Sequence, residues 1–263
     1  MALNMILKRK KSEVNIELPP LIQETVNVEW QSKEEKELAQ EIHADLKFSN
    51  ITETKYKLGN NFGGTVLPKL LRARQVCIYP KLLEEKVSDI MSDDKEDVNN
   101  VLKMSMKASS KIDSVIDKII SNKDNGNRKI IFCHFKKEID ILRENLEKYN
   151  INVKTFDGRI KNTEREDILN DRSIEILIIQ IQTGCEGLNL QHFNEIYFVS
   201  PHWNPAVEDQ ALARCHRIGQ EKTIHVYKFQ MDTFDKEKLN LCIDKHAKNI
   251  QDSKREEMKI INN

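Results

Sequence analysis

From about residue 105 onward, the apolar residues fall into two alternating rhythms. Short runs without polar alternation read as buried strands: KIIFC (129–133), VKTF (153–156), IEILIIQIQ (174–182), EIYFVS (195–200) and TIHVYKF (223–229). Between them lie stretches with helical spacing. EIDILRENLEKY follows the first strand, and Thr163 with Glu166 forms a capping-box pattern ahead of the next helix. Pro205 suits the first turn of a third helix, and a charged helix from about Phe234 ends the chain. Such an order predicts an α/β fold with a parallel sheet covered by helices on both faces. Ligands of these sheets sit at the carboxyl ends of the strands. Phe135, Asp157-Gly158, Thr183 to Gly187 and His202 to Asn204 fall there.

Before residue 105 the pattern is helical and charged. SKEEKELAQEIHADLKF (32–48) repeats Leu38, Ile42 and Leu46 every four residues, and LPKLLRARQVCIYP (67–80) is a second apolar-periodic segment bounded by prolines. Pro19-Pro20 breaks any helix there, and residues 84 to 97 are mostly acidic, a solvated loop or helix surface. The expected organisation is a helical, linking extension over 1–104 and an α/β domain over 105–263.

Composition narrows the classes. The 263 residues are 32% charged with zero net charge, so total charge argues for neither nucleic acid nor membrane, and any basic surface is local. Five scattered cysteines form no CxxC pair, which argues against a zinc site or disulfide framework and fits a reducing, intracellular compartment. No apolar run approaches the ~20 residues of a membrane span, and no signal-peptide core opens the chain. A soluble protein without a membrane partner is expected.

The helix from Pro205 carries the most suggestive chemistry. Val207, Ala211, Cys215 and Ile218 form a core-facing row, and Gln210, Arg214 and Arg217 form a second row about a quarter turn away. The arginines are either ordinary surface residues of an amphipathic helix or planar, permanent cations held for a phosphate. IQTGCEGLNL (181–190) follows the strongest strand, and Gly184 and Gly187 permit either a plain tight turn or close approach of amides to an anion. His134, His192 and His225 form no cluster and read as packing or polar-edge residues. Trp203 either pins its loop or touches a ligand, and KRKK (8–11) is a solvated face or a targeting or phosphate-binding patch.

Taken together and in order, TGCEGLNL, HWNP and EDQALARCHRIGQ resemble motifs V and VI of the Swi2/Snf2 branch of superfamily 2 helicase-like ATPases. KIIFCHF resembles the motif IV region, VKTFDGRI the DG-containing motif, LLRARQVCIYP the helix before the second lobe, and ILKRKKSEV with IELPP the segment leaving the first lobe. The HRIGQ ending favours this branch over DEAD-box RNA helicases. The resemblance implies a RecA-like C-terminal lobe. It implies a nucleotide, ATP with Mg²⁺, in a cleft between two lobes, and Arg214 and Arg217 as fingers toward its γ-phosphate with Gln210 positioning them. Thr183, Gly184, Glu186 and Gly187 match the motif that couples nucleotide to DNA, with Gly184, Glu186 and Gly187 on the nucleotide side. Duplex DNA contacts fall on Phe135, Lys136, Gly158, Arg159, Thr183, Trp203 and Asn204, mostly to phosphate and sugar, with little sequence preference and strong salt sensitivity. The chain departs from the pattern at Tyr79, Cys185 and Glu186, and at Arg159, where a small hydroxyl residue commonly meets the DNA backbone.

A two-lobed ATPase also needs a phosphate cradle and an acidic metal motif. GNNFGGT (59–65) has Thr65 where the cradle's lysine belongs, and no Asp-Glu dipeptide occurs. The expectation is therefore a second lobe whose ATP and Mg²⁺ are held mainly by the N-terminal RecA-like lobe of the same full-length protein. The chain is expected to be inactive in hydrolysis alone and, within the whole, to translocate on duplex DNA and remodel nucleoprotein complexes. The place of action is the nucleus or a cytoplasmic site of DNA metabolism. The alternative is a non-catalytic DNA-binding or regulatory module that retains the motifs.

Overall fold

The computed structural model describes residues 18–44, 46, 66–83, 109–184, 187–235 and 241–261. KRKK (8–11), GNNFGGT (59–65), the acidic run 84–97 and Cys185-Glu186 lie outside the described residues.

In chain order the elements are β1 (Leu21–Val28), α1 (Lys33–His43), α2 (Val66–Ile78), α3 (Ser110–Ser121), β2 (Lys129–Cys133), α4 (Lys136–Glu147), β3 (Val153–Phe156) and α5 (Asn162–Asn170). They continue with β4 (Ile176–Gln180), the single turn α6 (Ile181–Gly184), β5 (Glu195–Phe198), α7 (Pro205–Cys215), β6 (Ile224–Met231) and α8 (Ile243–Ile261). The six strands make one parallel sheet in the order β1-β6-β5-β2-β4-β3.

The strands that lack polar alternation are buried on both faces, and their side chains divide by parity. Ile131, Cys133, Ile178, Tyr197 and Val199 join one apolar cluster with residues of α1, α2, α3, α4 and α8. Ile130, Phe132, Leu177, Ile179 and Phe198 join the other with Leu190, Phe193, Ala211 and Cys215. The predicted RecA-like arrangement, a parallel sheet between helices, is thus present.

Three local readings change. The N-terminal region contributes a strand as well as helices: β1 pairs along its full length with β6, from Leu21 opposite Ile224 to Val28 opposite Met231. Backbone hydrogen bonds hold it while Leu21 to Thr25 remain exposed, so periodicity gave no sign of it. Thr163 and Glu166 do not form a capping box. α5 starts two residues earlier, with Lys161 at the cap and no side-chain cap bond, which places Thr163 inside the helix. The last helix begins at Ile243, not near Phe234. Phe234 instead turns inward, stacking on Trp30 at 5.4 Å with its edge against His43.

Candidate functional site

Four neighbouring strands deliver the predicted carboxyl-end residues to one rim. Trp203 and Asn204 follow β5, Phe135 and Lys136 follow β2, Thr183 and Gly184 follow β4, and Gly158 and Arg159 follow β3, in the lateral order β5-β2-β4-β3. Three inter-strand spacings make this rim about 14 Å wide.

The loops after β2 and β5 are braced from beneath. Phe135 caps α4, and buried Glu138, one turn in, accepts from the backbone N–H of His134 (2.9 Å) and Phe135 (3.0 Å), leaving Lys136 exposed at the helix start. Burial pushes the Glu138 carboxyl up to about 7. His134 sits in the core with a ring nitrogen 3.2 Å from the Ser200 carbonyl oxygen, and burial drives its pKa well down. It is therefore the packing residue expected. Trp203 lies partly buried under the Arg74 guanidinium, 4.9 Å from its ring centre, while Arg74 also donates to the Pro201 carbonyl. Gly158 is open, with nothing within 4 Å of where a Cβ would stand. Thr183 is half-buried and Gly187 has φ +68°, a left-handed conformation that favours glycine. Glu186 lies outside the described residues.

α7 begins on this rim and ends elsewhere. Asn204 caps it, its side-chain oxygen accepting from Ala206 N–H at 3.2 Å, with Pro205 in the first turn as predicted. Ala211 and Cys215 are wholly buried against the sheet and Val207 partly so. Their small size allows close approach. The helix stops at Cys215, about 15 Å from its start, so the two predicted rows do not run on. Ile218 is 68% exposed instead of facing the core. Gln210, exposed, and Arg214, half-buried, share the helix, but Arg217 is carried by the turn that follows, its N–H donating to the Cys215 carbonyl at 3.2 Å.

That turn is laced to the segment after Gly187. Leu190 N–H donates to the Arg214 carbonyl at 3.2 Å, and the Gln220 amide donates to the carbonyls of Gln191 (2.6 Å) and Phe193 (3.2 Å). Gly219, at φ +95°, leaves room where a Cβ would stand 2.9 Å from Gln191 Oε1. His216 reaches the Pro19 carbonyl at 2.9 Å, just ahead of β1. The final residues of HRIGQ thus fix the shape of the arginine turn.

A buried polar network under the rim had no sequence signal, because its members lie far apart in the chain. Lys111 of α3 donates to Asp244 of α8 and, at 3.0 Å, to Ser200 Oγ. Asp244 also accepts from Met231 N–H at 2.9 Å. Glu208 of α7 accepts from His202 N–H (2.8 Å), Lys228 Nζ (2.7 Å) and the Gln251 amide (2.6 Å), and Gln251 also donates to the His202 carbonyl (2.6 Å). The C-terminal helix therefore clamps both the HWNP loop and the start of the arginine helix.

Residues 110–219 match the family model described as the helicase conserved C-terminal domain. Over 130 residues the chain is 35% identical to DNA repair protein RAD5 of Kluyveromyces lactis, covering 46% of this chain and 12% of that protein. It is 34% identical over 111 residues to helicase SWR1 of Saccharomyces cerevisiae, covering 41% of this chain and 7% of that protein. The matched stretch, residues 110–219, is a helicase conserved C-terminal domain of the Swi2/Snf2 type. A probable ATP-dependent helicase of Plasmodium falciparum is 40% identical to the lobe over 111 residues, 41% of this chain and 5% of that protein. The chain thus spans only about a twentieth to an eighth of the length of these relatives. The fold of the Swi2/Snf2 lobe also matches the solved C-terminal part of the Fun30 ATPase domain, with TM-score 0.62 and 18% identity over 90% of this chain and 98% of that one. Among the described residues, no helix is long and apolar enough to cross a membrane.

Proposed function

We propose that this chain is the second lobe of a DNA-dependent ATPase that moves along duplex DNA and remodels protein–DNA complexes, in the nucleus or another site of DNA metabolism. The observation that carries this reading is α7 itself. One helix starts at Asn204 on the four-strand rim and ends at the arginine turn, so DNA and nucleotide would be read by opposite ends of a single rigid element. On this reading residues 1–104 lead from an ATP-binding first lobe and lend the second lobe its edge strand, and 105–263 form the body of the lobe.

The donor set suits the phosphate end of ATP. Arg214, in the last turn of α7, and Arg217, on the turn that follows, offer permanent, planar cations. Among the described residues no group of three or more His, Cys, Asp or Glu gathers to hold a metal ion. ATP, when bound, supplies a phosphoryl group whose transfer to water spreads negative charge over its oxygens. Arg214, braced by the Leu190 bond to its carbonyl, and Arg217, set by Gly219 and Gln220, would neutralise that charge, with Gln210 beside them. Gly184, Glu186 and Gly187 directly follow the rim residue Thr183 in sequence and would bring backbone amides near the nucleotide. Phe135, Lys136, Gly158, Arg159, Thr183, Trp203 and Asn204 would track the phosphates and sugars of the duplex.

The test is to assay the chain alone and joined to an ATP-binding Swi2/Snf2 first lobe. Duplex-stimulated hydrolysis is expected only from the joined protein. Robust turnover by this chain alone, or none after joining, would overturn the proposal.

A further inference from the structure

Arg159 departs from the family pattern, and its bonding is unusual for a residue expected to touch DNA. Its guanidinium is held on two sides. Nε donates to both oxygens of Asp157 at 3.0 and 3.1 Å and Nη2 to Asp157 Oδ2 at 2.6 Å, while the backbone N–H of Arg159 donates to the same carboxylate at 2.8 Å. Asp157 is buried, so this half of the contact belongs to the turn. The outer edge forms a second, bidentate pair with Asp140 of α4, with Nη1 at 2.8 Å and Nη2 at 2.9 Å. Here both partners are in contact with solvent, the Asp140 side chain 33% and the Arg159 side chain 43% exposed. The pair closes one wall of an open cavity lined also by Arg143, Glu144 and Thr155.

The two halves differ in what they can release. A buried carboxylate that accepts a backbone and three side-chain bonds keeps its partner. An exposed ion pair holds its partner by roughly 0–1 kcal/mol and exchanges freely. A phosphodiester presents the same planar pair of oxygens that Asp140 presents. We propose that Asp140 is an exchangeable stand-in for a DNA backbone phosphate: Asp157 keeps the guanidinium aimed along the rim while the phosphate displaces Asp140. This inference rests on the DNA reading above and adds to it a residue that sets affinity without itself touching DNA.

The test is the dissociation constant of the 263-residue chain for a labelled duplex, measured across a salt series for wild type, Asp140→Asn, Arg159→Ala and the double variant, with melting curves as a control on folding. Removing the competing carboxylate tightens binding by about two- to fivefold in the wild-type background. In the Arg159→Ala background the same change has less than half that effect, because only its long-range field remains. Arg159→Ala alone lowers the magnitude of the salt slope by about 0.9. An Asp140→Asn effect that is absent, or equal in both backgrounds, overturns the exchange while leaving salt-sensitive duplex binding intact. A wild-type chain with no salt-sensitive duplex binding overturns the DNA reading and this inference together.

Discussion

On one side of the sheet Lys111 and Asp244 meet in the interior, their side chains 0% and 1% exposed; on the other, Arg217 and Ile218 stand in solvent on a turn held by glycine and amide contacts. The first side is layered by α1, α2, α3, α4 and α8, with ions satisfied inside it. The second carries α5, which has no fully buried residue, the single turn α6, and α7 with its small inward side chains. One face is scaffold, and the other is thin and presents charge. The proposed arginine turn thus stands apart from the buried ion pair that holds the scaffold face.

The most disruptive way to test the contrast is Asp244→Ala. It strands Lys111 in the interior and is predicted to cost about 3–5 kcal/mol in urea unfolding. Replacing both residues with apolar ones of similar volume should restore much of that loss. An Asp244→Ala loss under 1 kcal/mol would mean the scaffold face does not depend on its buried ions.

Acid titrates the same face in two directions. Burial depresses His43 to about 4, and its neutral ring accepts from Ile243 N–H at 3.1 Å, tying α1 to α8. Its contribution is complete above the unfolded value near 6.5 and is lost as pH falls toward 4, by up to about 3 kcal/mol. Glu138, raised to about 7 from 4.5, opposes this, since its burial penalty is relieved as pH falls over the same window. Glu138 therefore offsets part of the acid loss between pH 7 and 4.5. Glu138→Gln should expose a steep acid loss, readable by denaturant titration at the two pH values. Identical slopes for the two proteins would contradict the opposition.

Smaller effects are expected on the thin face. Gly219→Ala forces an L-residue into φ +95° against Gln191 and should cost about 1–2 kcal/mol. Ile218→Ser should change the unfolding free energy by less than about 0.5 kcal/mol, because the residue is not in the core. A large loss from Ile218→Ser would restore the uninterrupted helical row that the sequence suggests.

Much of the fold was legible because the central strands carry apolar residues on both faces, as KIIFC and ILIIQ do. β1 was not, since its side chains are mostly exposed and its bonds run through the backbone to β6. The rim residues were readable as strand ends. The end of α7 was misread because helical spacing extrapolates past Cys215, although Gly219 was the available sign of a stop. The Glu208–Gln251 and Lys111–Asp244 contacts join residues 43 and 133 positions apart, which no local pattern encodes.

A working arginine turn on an independent scaffold is tested most directly by Arg217→Ala in the chain joined to an ATP-binding Swi2/Snf2 first lobe. Turnover and melting temperature are to be measured on the same sample. Duplex-stimulated turnover should fall by at least about 10³-fold with the melting temperature unchanged. Unchanged turnover, or a loss of activity that follows a loss of fold, would contradict it.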